Sequence, residues 1–129
     1  MRISLKMTAA LIGSFVLGAG AIQALHAQAT PPAYVVFEIT VKDKEGYNTG
    51  FLKDAQKVIF EHGGKYIAGG YDKSMSLSGA PLPNRVGILQ FANVDAMKGW
   101  WNGGGRDIQE KVGSKYAEFR IFAVEGVQQ

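Results

Sequence analysis

The chain has 129 residues, 14 basic against 11 acidic side chains, a formal net charge of +3 and no cysteine. That length allows one domain with a single core. The missing cysteines exclude a disulfide framework in any compartment, so stability has to come from packing or from association with another chain.

The N-terminal stretch "MRISLKMTAALIGSFVLGAGAIQALHAQA" sets Arg2 and Lys6 ahead of an apolar run over residues 8–22 and ends in the small residues Ala27-Gln28-Ala29. A basic head, a short apolar centre and an A-x-A end describe a secretory signal peptide over residues 1–29, cut after Ala29. The alternative is an uncleaved anchor, for which the run is short and rich in glycine. No cysteine stands at the cut, which excludes a lipoprotein, and no arginine pair is present, which favours export of an unfolded chain. The expected location is the periplasm or the exterior. The leader holds two basic and no acidic residues, so the remaining 100 residues carry a charge of +1. That is no argument for nucleic acid or for a membrane surface as partner.

Residues 30–32 read as a short extended linker, and the domain as residues 33–127. "AYVVFEITV" alternates strictly, with Val35, Phe37, Ile39 and Val41 on one face, so it is a strand. Its other face is mixed: Tyr34, Val36, Glu38 and Thr40. Asp43 is placed to cap a helix. Residues 47–62 carry an apolar stripe of Tyr47, Phe51, Ala55, Val58 and Ile59 at helical spacing, and Gly63-Gly64 end it. "KYIAGGY" predicts a second strand, with "SMSLSG" as its continuation or a small ribbon. "GAPLPN" is a loop. "RVGILQF" is a third strand, apolar on both faces. Asn93 caps a second helix that "NGGG" interrupts and "RDIQEKVGSKY" resumes, and "EFRIFAVEG" is the last strand. Strand, helix, strand, strand, helix, strand is the α+β, ferredoxin-like βαββαβ arrangement, an antiparallel sheet with two helices on one face.

The segments "AYVVFEITVKDKEGY", "HGGKYIAGG", "NRVGILQF", "AMKGWWN" and "KYAEFRIFAVEGV" together resemble the family catalogued as domain of unknown function 1330. The Gly-Gly-basic-Tyr turn and the closing Val-Glu-Gly are the more specific marks. The resemblance covers nearly all of residues 33–127 and implies the dimeric α/β barrel superfamily. That superfamily includes cofactor-free monooxygenases, haem-degrading enzymes and lactone isomerases, so it implies a fold more strongly than a function. Two positions depart from the family pattern. Gly69 stands where the second strand usually carries an arginine, and Gly103-Gly104-Gly105-Arg106 stands where a Ser-x-x-Tyr segment is frequent.

The resemblance implies a sheet in the order 4-1-3-2, with the last strand beside the first. Two helices cover only one face of such a sheet, yet the last strand is apolar on both: Phe119, Ile121 and Ala123 against Phe122 and Val124. A second copy of the chain is the economical cover for the open face, giving a homodimer with the two sheets enclosing a barrel. Arg120 has the parity of Phe122 and points into that barrel. Glu38 on the adjacent strand has matching parity, and a Glu38–Arg120 pair is expected there, with Tyr34 and Gln90 nearby. The pair either satisfies two charges and fixes dimer register or anchors a small anionic or carbonyl ligand, with Glu38 as proton acceptor. Glu38 and Arg120 are the catalytic candidates; Tyr34, Glu38, Gln90, Trp101 and Arg120 are the ligand-binding candidates.

Other residues carry blander readings. His62, the one histidine after the leader, suits a helix C-terminus, and no second histidine completes a metal site. Trp100 reads as core and Trp101 as a pocket rim. Arg85 reads as a solvated rim charge. Residues 74–84 form a loop placed to cover a barrel mouth. No cofactor fingerprint and no nucleophile–base pair is visible. Two function classes stay open: a binding or assembly module built on the dimer, and a cofactor-free enzyme acting on a small organic molecule in the barrel.

Overall fold

The computed structural model describes residues 30–128; the leader assigned from the sequence lies outside the described residues. The alternating segment forms β1 (Ala33–Val41), with every odd position buried. β2 (Lys65–Tyr71), β3 (Arg85–Phe91) and β4 (Ala117–Glu125) complete one antiparallel sheet in the order β2-β3-β1-β4. The two central strands are therefore the first and third of the chain. The register pairs Tyr34 with Gln90 and Glu38 with Val86 across β1 and β3, and Glu38 with Arg120 across β1 and β4.

The first helical arm begins at Lys44, three residues earlier than the apolar stripe predicts. Asp43 caps it by accepting from the Gly46 amide at 2.9 Å. The arm runs through a wider π-type turn (Asn48–Leu52) into Lys53–Glu61. It stops at Gly63, whose φ of 78° is the left-handed value that favours glycine. His62 caps this end, its Nδ1 2.8 Å from the Val58 carbonyl. The second arm starts at Asn93, whose side chain accepts from the Ala96 amide at 2.8 Å. It covers Val94–Trp100, breaks over Trp101–Gly105 where Gly103 and Gly104 leave helical geometry, and resumes as Arg106–Lys111.

Both arms pack on the odd-numbered face of β1. Val35, Phe37, Ile39, Tyr47, Phe51, Ile59, Leu89, Phe91 and Trp100 form one buried cluster. Trp100 is 1% exposed, stacked on Phe91 with centroids 5.4 Å apart and edge-on to Phe37 at 6.0 Å. Offset and edge-to-face contacts of this kind add to the area term.

"SMSLSG" does not extend the second strand. Residues 72–84 leave the sheet at Asp72 and return at Asn84 without forming a strand or ribbon. Asn84 substitutes for a ladder residue: its amide donates to the Val41 carbonyl and accepts from the Val41 amide, both at 2.9 Å. Gly69 is required by the backbone. Its φ is 107°, and a Cβ there would lie 1.9 Å from the Val86 carbonyl oxygen. No side chain, arginine included, fits that position in this backbone. Among the described residues no helix is long and apolar enough to cross a membrane.

Candidate functional site

The register settles which face each candidate occupies. Glu38, Tyr34, Gln90 and Arg120 share the even face of the sheet, away from both helical arms. The parity of β3, ambiguous from its apolar residues alone, is fixed by the Tyr34–Gln90 pairing. Arg120 Nη1 lies 2.9 Å from Glu38 Oε2. The two side chains differ sharply in exposure, Arg120 at 76% and Glu38 at 25%. The approach is close but badly angled: Oε2 is sealed from solvent and receives no well-directed hydrogen bond. Arg120 thus meets it as a neighbouring charge, leaving an acceptor position unfilled. The guanidinium also lies 5.3 Å from the Phe122 ring centre, within cation–π range.

Beside the pair runs a solvent-open groove of about 600 Å³, lined by Glu38, Thr40, Leu82, Pro83, Asn84 and Arg120. Its size falls in the range of small-molecule sites. The loop over residues 72–84 forms one wall, held in place by the Asn84–Val41 bonds. That loop carries bare apolar side chains, Met75 at 79% and Leu77 at 92% exposure, and the sheet face adds Phe122 and Val124 at 40% and 49%.

Trp101 is not part of this arrangement. It packs with the helix-side cluster, 5.4 Å from the Trp100 ring, with Arg106 above it at 5.6 Å. The sheet separates it from Glu38 and Arg120, so the five ligand-binding candidates divide into four on one face and one on the other.

Arg85 corrects the sequence reading. It is no rim charge: it is 8% exposed and points to the helix side, with the parity of Leu89 and Phe91. Its guanidinium lies over the Tyr71 ring at 4.6 Å and near the Tyr47 ring at 5.5 Å. Burial pushes the Tyr47 hydroxyl up to about 12, with the Arg85 charge pulling the other way. Burial likewise raises Tyr71, again opposed by Arg85. Gln109 is the second buried polar residue that the sequence concealed; it is 5% exposed and its Oε1 has no partner. The signal for Arg85 was its even spacing from Leu89 and Phe91, which puts all three on one face, masked by the competing Val86 and Ile88. Nothing in "RDIQEK" marked Gln109 as buried. Among the described residues no group of three or more histidine or acidic side chains is gathered that could hold a metal.

The fold has solved counterparts. A protein of unknown function from Rhodopseudomonas palustris matches with a TM-score of 0.58 and 16% identity, over 84% of this chain and 94% of that one. The structure of the methylated RPA0582 protein matches with a TM-score of 0.55 and 15% identity, over 83% and 90% of the two chains. At those identities the likeness concerns the fold. No curated protein matches the sequence. The family described as "Domain of unknown function (DUF1330)" matches residues 32–127. With the sheet order, the capped helical arms and that match in agreement, the chain belongs to the DUF1330 family.

Proposed function

We propose that this protein is an exported homodimeric binding module whose two sheets face one another and enclose a pocket anchored by Glu38 and Arg120. The observation that carries the reading is the bare even face. Phe122 and Val124 are 40% and 49% exposed there, beside a loop whose Leu77 is 92% exposed. Large apolar side chains left bare on one sheet face are what a covering partner would bury. A second copy supplies the complementary apolar face and brings its own loop, and closing the sheets converts the open groove into an enclosed one. A small organic ligand with a carboxylate or carbonyl group would meet Arg120 there, with Tyr34 and Gln90 on the same face. Export is supported by the signal-like residues 1–29.

A second reading, a cofactor-free enzyme on the same pocket, is favoured by one detail: the sealed Glu38 oxygen has an unfilled acceptor position. Glu38 lines the groove, and its carboxylate would take a proton from a bound substrate once a shift of Arg120 opens that oxygen. Light scattering on wild type and Phe122→Glu tests the assembly. The proposal expects a dimer that the variant converts to a folded single chain; identical masses for the two would refute it. Native mass spectrometry of the protein from its own host tests the pocket. An added small-molecule mass lost in Arg120→Gln supports it, and an adduct unchanged by that substitution counts against it.

A further inference from the structure

Arg85 is a buried cation, 8% exposed, that belongs to no ion pair among the described residues. Four ion pairs join described residues, Lys42–Glu118, Lys57–Glu61, Lys111–Asp107 and Arg120–Glu38, and none includes Arg85. Its neighbours are aromatic and cationic: Tyr47, Tyr71, and Lys44, whose Nζ lies 4.5 Å from the centre of the same Tyr71 ring. Two cations thus share one ring with no carboxylate between them. Cation–π contact returns only part of the desolvation cost of a buried guanidinium. Arg85 donates to the Tyr47 and Tyr71 hydroxyl oxygens, but both are neutral phenols and add no negative charge.

Arg85 also lines a cavity between the first helical arm and the sheet, of about 40 Å³. One water needs roughly 10–15 Å³, so the space takes a group of a few heavy atoms. Its walls are apolar, among them Phe37, Phe51 and Leu89, and Gln109 is the other polar residue at its edge besides Tyr47 and Arg85 that the helices and sheet bury. The Gln109 Oε1 is unpartnered, and turning the amide by half a revolution offers its N–H donors instead. A buried cation without counter-ion, a buried amide without partner and an apolar hollow between them are the parts of a site for a short carboxylate.

We propose that the cavity between the first helical arm and the sheet binds a small monocarboxylate with an apolar body, its carboxylate on Arg85 and Gln109. The carboxylate supplies the missing charge, and the apolar walls take the short chain. This site lies on the opposite side of the sheet from the Glu38–Arg120 groove and needs no second subunit.

The test is calorimetric titration of the whole exported chain with butyrate, and with butyramide as an uncharged match in shape, at constant ionic strength. Saturable butyrate binding is expected, with butyramide weaker by about tenfold or more, the difference made by a charge-assisted bond. Arg85→Met should abolish the preference for butyrate over butyramide, and Gln109→Leu should weaken butyrate several-fold. If Arg85→Met does not fold, the wild-type comparison and Gln109→Leu still decide. Equal affinity for the two probes, no binding of either, or a butyrate signal lost in Arg120→Gln but kept in Gln109→Leu would overturn the proposal. The folded single-chain Phe122→Glu variant should bind butyrate as wild type does, so failure of the dimer and failure of this site give different results.

Discussion

Replacing Glu38 with Gln, Arg120 with Gln, and both together isolates the coupling between two side chains 2.9 Å apart. In a lone subunit the value follows from exposure. Arg120 is 76% exposed and Glu38 25%, so water screens the pair and the coupling should be about 0.2–1 kcal/mol, as for exposed pairs generally. Covering the face with a second sheet removes that water from Arg120. Desolvated charge pairs at interfaces show couplings of about 1.5 kcal/mol and upward, and removing one partner leaves a buried uncompensated charge. The two situations therefore differ by about 0.5 kcal/mol or more. Urea unfolding of all four chains at low and high protein concentration measures the cycle. The dimer predicts a coupling above about 1.5 kcal/mol, and midpoints that rise with concentration because assembly stabilises the folded state. A coupling below about 0.5 kcal/mol, with midpoints indifferent to concentration, would show that the pair stands in water and refute the reasoning.

Three further outcomes follow from the packing. Trp100→Ala should cost about 3–5 kcal/mol in urea unfolding, the usual loss for a large aromatic core residue, because Trp100 is 1% exposed and stacked on Phe91; a loss under about 1 kcal/mol would mean the ring is not part of the core. Gly69→Ala should cost more than Gly63→Ala, since both have positive φ but only the Gly69 Cβ would strike backbone, 1.9 Å from the Val86 oxygen, whereas Gly63 has open space. Backbone strain alone accounts for about 1–3 kcal/mol, and equal midpoints for the two variants would contradict the β2–β3 geometry. Tyr47, raised from 10.0 to about 12 by burial, binds its proton more tightly in the folded chain. Its contribution is fully present below pH 10 and is lost as pH rises through 12, by up to about 3 kcal/mol. Melting curves across that window should show the loss, and Tyr47→Phe should flatten it; an unchanged slope would place the hydroxyl in solvent.

The sheet and its polar pair were legible because β1 alternates without error: Val35, Phe37, Ile39 and Val41 are all buried. Fixing that strand gives Glu38 its face, and equal parity in "EFRIF" brings Arg120 opposite. β3 offered no such clue. Val86 and Ile88 compete with Leu89 and Phe91 for the core, and the same ambiguity that hid the face of Gln90 hid the burial of Arg85. Its partners Tyr47 and Tyr71 lie on two other elements, a long-range arrangement that local pattern does not encode. The alternation of Met75 and Leu77 imitates a strand, but the segment pairs with none of the four strands of the sheet. Helical spacing sets Trp101 apart from the buried Trp100, yet both rings pack on the helix-side cluster, because spacing does not say which side of the sheet a helix covers.

Sedimentation equilibrium of the chain beginning at Thr30, at micromolar concentration and near-physiological salt, tests the central claim most directly. The account predicts twice the mass of one chain, falling to one mass in Phe122→Glu with its folded spectrum intact. A wild-type protein that sediments as a stable single chain throughout that range would contradict it.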